Sequence, residues 1–427
     1  MNRDTIDTRS TSLRASALRA LDAIRRSAFM RSFRGDRVLW QIIIILLAIS
    51  LLAIFSSTSA LAELKGSTAF AYLKGRFGYI IITILLIYVV HSMPYYLYRN
   101  FSKMMLVVSV ALLVYTLFAG ERFNEASRSI NVFGVFSFHP SELAKYAILL
   151  YVAKVLEEGA QRNIIDTFRK YLWRIIVPVA LLCVLLILTG STFAALLTGF
   201  TVFVVLVIAR VRTAYLLKTL AIAIPGLGLI VLLSYTTPAF GRVKKMIDNR
   251  VLVFYAPQAV EKNVEALTFQ PTNARIAVAS GGLFGKGPGN STQRHILPNA
   301  YDDFIFAIIV EEYGLAGGLF VMFLYFWMLY RAVVIARGCR KIFYSAVAVG
   351  LVLQIVFQAL LHMSVTTGIG PVTGQTLPLI SHGGSSLFMT GFALGIVLAI
   401  SREADEQEKR ENAGGTAPLE PLEPEDQ

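Results

Sequence analysis

Apolar runs of membrane length recur through this chain, and no other feature restricts its fold as severely. A helix needs about 20 predominantly apolar residues to cross a bilayer. Ten such runs can be placed, at about 39–58, 77–97, 104–119, 141–157, 175–190, 192–209, 217–236, 303–330, 342–363 and 383–401. In lipid every backbone N–H and C=O must be satisfied internally, so runs of this kind become helices. The fifth and sixth are parted only at Thr189, Gly190 and Ser191, which read as a tight turn between two helices. Composition agrees: 56% of the 427 residues are hydrophobic and 16% are charged, against about a quarter charged in soluble domains. The expected fold is an all-α polytopic membrane protein with about ten transmembrane helices and one large extracytoplasmic loop.

The formal charge of +13 does not point to nucleic acid. The basic residues lie between apolar runs and in the N-terminal tail (Arg3, Arg9, Arg14, Arg19, Arg25, Arg26), where anionic lipid headgroups and topology account for them. Even-numbered loops carry Arg99 and Lys103, then Arg162, Arg169, Lys170 and Arg174, then Arg210 and Arg212, then Arg331, Arg337, Arg340 and Lys341. Odd-numbered loops are poorer, although Lys65, Lys74 and Arg76 dilute the contrast. The positive-inside rule therefore predicts cytoplasmic termini. Residues 1–38 read as a basic cytoplasmic tail, 39–401 as the membrane domain, and 402–427 as a disordered cytoplasmic tail. The long connection at 237–302 then lies outside the cytoplasm, where there is no ATP. Chemistry there must run on an activated substrate that arrives through or along the membrane. Cys183 and Cys339 sit in different environments, which argues against a disulfide framework or thiolate metal site. The five histidines show no ligand spacing.

One stretch carries most of the chemistry-bearing residues: Ser280 to Gly314, SGGLFGKGPGNSTQRHILPNAYDDFIFAIIVEEYG. Ionisable groups beside a membrane segment mark a functional candidate. Asp302 and Asp303 would suit a helix N-terminus as caps, but one aspartate suffices for that. The aromatic YDDFIF context would raise a carboxyl pKa and suit it to accept a proton. Glu311 and Glu312, eight and nine residues on, would lie about 12 Å deeper on one continuous helix. The glycine-rich GLFGKGPG reads either as a connector or as backbone that closes over an anionic headgroup with Lys286 and Arg294. The basic run Arg242, Lys244, Lys245 and Arg250 could meet lipid phosphates or simply snorkel. In FHPSELAK, Lys145 follows Glu142 at i+3 and shares its face. It either pairs locally or bridges helices to hold Asp303. PLISHGGSS, with Ser385 and Ser386, makes either an anion-friendly helix start or a tight turn.

Together these stretches are similar to the SEDS family (shape, elongation, division and sporulation), the FtsW/RodA-type peptidoglycan polymerases. The resemblance spans about 39–401 in topology. It is strongest in HPSELAK at 139–145, in NARIAVASGGLFGKGPGNS running into LPNAYDDFIFAIIVEEYG, and in PVTGQTLPLISHGGSS at 371–386. It implies a ten-span enzyme that extends glycan strands from lipid II outside the bacterial cytoplasmic (inner) membrane. Asp303 falls on the family's essential acid, Lys145 on its proposed partner, and Glu142 beside it. The chain departs from the family pattern at Asn299 (usually Glu), Asp302 (Thr), Ser129 (Trp, with Arg128 kept), Gly190-Ser191 (without the usual acid) and His382 (Tyr). TLPLIS and the long tails resemble division-type, FtsW-like members; PVTG resembles elongation-type, RodA-like ones. The division-type reading is preferred.

On that resemblance Asp303 is expected to act as general base on the acceptor sugar, oriented by Lys145 and Glu142. Lys286, Arg294, Asp302, Arg128, Ser385 and Ser386 are expected to meet substrate. A divalent cation, magnesium or manganese, would help to offset pyrophosphate charge, although nothing in the sequence marks its ligands; no organic cofactor is expected. The implied partners are lipid II, a class B penicillin-binding protein, other divisome proteins and membrane lipids. Two rival readings are a lipid II flippase that makes no bond and a scaffold that acts through its tails.

Overall fold

The computed structural model describes residues 35–412 apart from 65–68, 120, 124–125, 133–135, 163–164, 238–239, 257, 259–263 and 298–300. The basic tail up to residue 34, Asn299 and the segment from 413 lie outside the described residues, as does the side chain of Arg128. All ten expected spans are helical, and two further helices lie in the long connection, which gives in chain order α1 (Arg37–Leu64), α2 (Ala69–Ser92), α3 (Tyr96–Ala119), α4 (Pro140–Arg162), α5 (Phe168–Leu188), α6 (Thr192–Ile208), α7 (Thr213–Thr236), the two connection helices α8 (Gly241–Met246) and α9 (Val264–Ser280), then α10 (Ile305–Arg337), α11 (Ile342–Thr366) and α12 (Gly384–Asn412). Among the described residues, 8 helices are long and apolar enough to cross a membrane. Of the two other expected spans, α6 has 17 residues, and α4 carries Glu142, Lys145, Lys154 and Glu157.

Capping and close packing fix the bundle. Asp36 precedes α1, where its Oδ1 accepts from the Leu39 amide (2.8 Å) and its Oδ2 from Arg331 Nε of α10 (2.9 Å). That satisfies an orphan helix donor and ties two helices at one end. Small residues let α12 approach α2. A Cβ on Gly391 would stand 2.7 Å from Thr83 Cγ2, and one on Gly395 2.8 Å from Val90 Cβ, the close backbone approach on which membrane helices rely. α7 stands apart with almost its whole surface exposed.

Four features differ from the sequence reading. Between α3 and α4 lies a small antiparallel sheet of β1 (Glu121–Phe123), β2 (Ala126–Val132) and β3 (Phe136–Phe138). Its S-I-N-V and F-S-F alternation follows the period of a strand. The connection at 237–302 is largely helical, with α8 continuing through Leu252 and α9 leading into the glycine segment. α12 runs past Arg402 to Asn412, because its polar end is rich in helix formers and Gln407 bonds Glu403 one turn earlier (3.2 Å).

The fourth difference matters most. α10 is broken at Gly314 (φ 72°, ψ −175°). A Cβ on Gly318 would lie 2.8 Å from Val310 Cγ2 and 3.3 Å from Phe306 Cζ. Residues 306 and 318 would be about 18 Å apart on a straight helix, so the chain folds back at Gly314 as a helical hairpin. The glycine segment is sewn into the bend: Lys286 and Gly287 amides donate to the Glu311 and Glu312 carbonyls (2.9 and 3.0 Å), and the Leu315 amide donates to Gly282 (2.9 Å). A Cβ at Gly314 would meet the Leu283 carbonyl oxygen at 2.2 Å. Only glycine fits there, and its positive φ strains any other residue.

The hairpin inverts the expected depth order. Glu312 accepts from Ser56 near the far end of α1. The loop against the Asp302 turn reaches Ser50, whose Oγ donates to the Ile380 carbonyl (2.7 Å). Ser50 and Ser56 are about 9 Å apart along α1. Asp302 thus lies inside the bundle and the glutamates lie toward its rim.

Candidate active site

The 301–304 turn is held by the loop before α12. Ser381 Oγ donates to the Asp302 carbonyl (2.7 Å), and the His382 amide donates to the Tyr301 carbonyl (3.1 Å). That loop is fixed in turn. The Leu377 amide donates to Ser381 Oγ (2.8 Å), and Tyr325 of α10 donates to the Pro378 carbonyl. Arg76 of α2, fully buried, donates to Ser50 Oγ (2.6 Å from Nη2) and to the carbonyls of Leu379 (3.1 Å) and Ile380 (3.2 Å). Leu379 takes a positive φ of 65°, which aims its carbonyl at the guanidinium at a cost in backbone strain.

Each aspartate faces its own guanidinium. The Asp302 carboxyl is pushed up to about 7, chiefly by burial and next by the negative charge of Asp303; Arg76 and the Gly383 amide pull it back, and Glu142 adds a smaller upward push. Asp303 is half-buried and acts on Arg250. Burial lowers the Arg250 guanidinium from its ordinary value, and Asp303 draws it up again. Arg250 Nη1 is anchored on the Thr373 carbonyl (2.8 Å). His382 is driven down to about 4, first by burial and then by Arg76, so it faces the site as a neutral ring. The Asp302 carboxyl is therefore held toward its neutral form, while Asp303 faces the Arg250 guanidinium. Carboxyl pairs with separated environments are the pattern from which proton-transfer roles arise.

Lys145 is fully buried in α4. Its Nζ donates to Glu142 Oε1 (2.8 Å) and to Gln358 Oε1 on α11 (2.7 Å). Gln358 Nε2 donates to the Thr376 carbonyl (2.9 Å), and Thr376 Oγ1 donates to Ser386 Oγ (2.9 Å). Lys145 therefore makes the local pair and also bridges helices. Its described bridge runs to Gln358, and it meets the aspartates through the charge of Glu142 on Asp302. Ser385 Oγ accepts from the His139 amide at the start of α4 (3.0 Å). Both serines are buried and spend these hydroxyl contacts joining α4, α12 and the loop.

Lys286 and Arg294 sit beside the glutamates instead. Lys286 Nζ meets Glu311 Oε1 at 2.5 Å. Glu311 also accepts from Ser291 Oγ (2.5 Å), Thr292 Oγ1 (2.8 Å) and the Thr292 amide (3.1 Å). Arg294 Nη1 lies 3.4 Å from Ser56 Oγ and from the Ser56 carbonyl oxygen. These contacts clamp the glycine segment onto the hairpin, and they occupy the cations expected to meet phosphate. Arg128 lies on β2, and nothing further of its side chain is described.

The sequence reading missed Arg76 by counting it as loop charge; a lone arginine at the head of an apolar run was the available signal. Arg250 reads in the sequence only as part of a basic run that could meet lipid phosphates or snorkel. Gln358 and Ser381 carried no signal, because their partners are 213 and 79 residues away. Among the described residues no group of three or more His, Cys, Asp or Glu could hold a metal ion. The aspartate pair alone does not make a cage; magnesium bound by one or two carboxylates normally takes substrate phosphates as well.

The family of cell cycle proteins that takes in FtsW, RodA and SpoVE matches residues 36–406. The chain is 32% identical over 370 residues to stage V sporulation protein E of Bacillus subtilis (strain 168), covering 86% of this chain and 97% of that one. It is 31% identical over 326 residues to a probable peptidoglycan glycosyltransferase FtsW of Aliivibrio salmonicida, covering 73% and 76%. Among solved structures it superposes with a TM-score of 0.66 on a chain from a peptidoglycan synthase complex that coordinates polymerization and crosslinking, at 24% identity over 87% of this chain and 98% of that one.

Proposed function

This chain belongs to the FtsW, RodA and SpoVE family of cell cycle proteins, and on that premise we propose that it is a peptidoglycan glycosyltransferase that polymerises lipid II. The observation that carries the reading is the aspartate pair in its two unlike settings, between Arg76 and Arg250. Asp303 takes the proton of the acceptor 4-hydroxyl. The oxygen attacks the anomeric carbon of the donor sugar as the bond to pyrophosphate breaks, and polyprenyl pyrophosphate leaves with the electron pair. Attack opposite the leaving group inverts the anomeric centre. The donor carries its own activation, so no nucleotide is consumed. Asp302, next to the base, sets the charge that Asp303 feels, and Lys145 holds Glu142 and α11 in register around it.

A divalent cation, if used, would rest on the aspartates and on the pyrophosphate and would supply charge neutralisation during departure. The chain is a multi-pass membrane protein. We place it in the bacterial inner membrane with both termini cytoplasmic and the aspartates reached from outside. A class B penicillin-binding protein is the proposed partner, in keeping with the crosslinking complex whose chain shares this fold. A division role is proposed over elongation, supported by the FtsW relatives; depletion should leave filaments, whereas spheres would assign the chain to elongation. The flippase reading is less well supported, because Glu311 is spent on anchoring the glycine segment and Glu312 on Ser56 of α1.

The test uses purified protein with lipid II and the partner. Asp303→Asn should abolish polymer while the protein stays folded and binds its partner. Undiminished polymer from that variant would remove Asp303 from the base role.

A further inference from the structure

A cavity lies at the opposite end of the bundle from the aspartates and belongs to no step of the polymerase chemistry. It has a volume of about 250 Å³ and opens between the end of α6 and the start of α11. Its mouth carries Arg210, Arg340 and Lys341, with Ser345 beside them, and no carboxylate lines it. Its floor is apolar, built by Val205 and Val349. All three cations are solvent-exposed.

Two details make this more than a basic loop. Arg210 is one of only two non-glycine residues with positive φ among the described residues (54°). It occupies the left-handed position that closes α6, where the Val211 amide bonds back to the Leu206 carbonyl (3.2 Å). Glycine or asparagine is the usual occupant of that position. An arginine held there turns its backbone away from the helix path at the cavity rim. The rim is also open to lipid on its apolar side, where Ile208 is 51% and Ile342 42% exposed. A ligand can thus be charged at one end and greasy at the other and still fit.

We propose that this cavity binds one anionic glycerophospholipid, its phosphate at Arg210, Arg340 and Lys341 and an acyl chain descending over Val205 and Val349. Basic pockets between membrane helices suit anionic headgroups. The apolar floor distinguishes a lipid from free phosphate, which would gain nothing from it. α10 ends at Arg337, immediately before the basic residues, and α11 begins just after them. A lipid seated here would therefore brace the two helices whose other ends hold the Asp302 turn and Gln358.

The experiment reconstitutes full-length protein in nanodiscs of phosphatidylcholine doped with phosphatidylglycerol, then counts retained lipids by native mass spectrometry. Wild type should keep phosphatidylglycerol selectively over phosphatidylcholine. The variant R210A/R340A/K341A should lose that preference by about tenfold or more, since each basic residue near a surface contributes to anionic-lipid attraction. Val349→Trp, which keeps every charge and fills the floor, should also lose it. The control R169A/K170A, at exposed basic residues elsewhere, should not. Glycerol 3-phosphate added in excess should fail to displace the lipid. Equal retention of both lipids, retention by the triple variant, or displacement by glycerol 3-phosphate would each overturn the proposal. A photoreactive acyl chain that crosslinks away from α6 and α11 would overturn the placement.

Discussion

Asp302 and Asp303 are neighbours in sequence, yet the fold gives them opposite electrostatic tasks, and pH should separate them. The Asp302 carboxyl sits at about 7 in the folded protein, against about 3.9 in an unfolded chain. Between those values the folded state binds a proton that the unfolded state has released, so stability falls as pH rises through this window. Below about 4 both states are protonated and the effect vanishes. Thermal unfolding in detergent should therefore show a Tm that declines from pH 5 to pH 8, with a shallower decline in Asp302→Asn. Activity should respond in the other direction. As Asp302 ionises near pH 7 its charge makes Asp303 a stronger base, so kcat/KM should rise through that pH, and Asp302→Asn should flatten the rise. An unchanged inflection in that variant would assign the ionisation to another group. Arg76 makes the companion case. Removing one partner of a buried charge pair typically costs about 3–5 kcal/mol, and Arg76 also holds three oxygens of the α1 and Pro378 segments. Arg76→Ala should lose folded yield, whereas Arg76→Lys should fold and lose most activity, because a point charge cannot hold the Leu379 and Ile380 carbonyls together.

At the scale of elements, the α10 hairpin sets the site, and its hinge is a single glycine. Gly314→Ala places a methyl 2.2 Å from the Leu283 carbonyl oxygen and should prevent the glycine segment from docking, read as new protease cleavage within 281–297. Glu311 is the other half of that joint. Glu311→Gln leaves Lys286 and several hydroxyls without their carboxylate and should destabilise by about 3 kcal/mol. The double change with Lys286→Met should recover part of the loss, and additive effects would show that the pair is not coupled. The sequence announced the ten spans, because apolar runs and their breaks are local signals, but not α8 and α9 in the long connection. It also placed Glu142 and Lys145 on one face, since spacing on a helix is local too. It could not announce the hairpin. The apolar run continues through IFAIIVEEYGLAGGLF without a Pro, interrupted only by Glu311 and Glu312, and Gly314 looks like any membrane glycine until Leu283 is seen against it. For the same reason the depth order of Asp302 and Glu311 is opposite to the one the sequence suggests, and the contact of Lys286 with Glu311 is not legible in the sequence. Long-range pairings such as Lys145 with Gln358 leave no mark on either segment alone.

Across the whole molecule, charge is divided along the bundle axis, and that division makes the orientation testable. Tyr325 marks the level of the loop that holds the Asp302 turn, and Arg337 ends the same helix 12 residues on, about 18 Å away. That end gathers Arg210, Arg337, Arg340 and Lys341, while the opposite rim carries the glycine segment, with Phe284 85% exposed. Basic residues in short loops stay cytoplasmic, so the glycine rim should face outward. Phe284→Cys and Arg337→Cys, each made after Cys183 and Cys339 are replaced by Ala, report the two rims. The native Cys339 is a poor reporter, since burial pushes its thiol up to about 12 and leaves little thiolate to react. In intact cells a membrane-impermeant maleimide should label Phe284→Cys and spare Arg337→Cys, and in inverted vesicles the pattern should reverse. The opposite pattern in intact cells would put Asp303 on the cytoplasmic side of the barrier, where the proposed extracytoplasmic polymerisation has no meaning. The lipid cavity would then face outward too, so one labelling experiment bears on both proposals while the lipid-retention assay bears on only one.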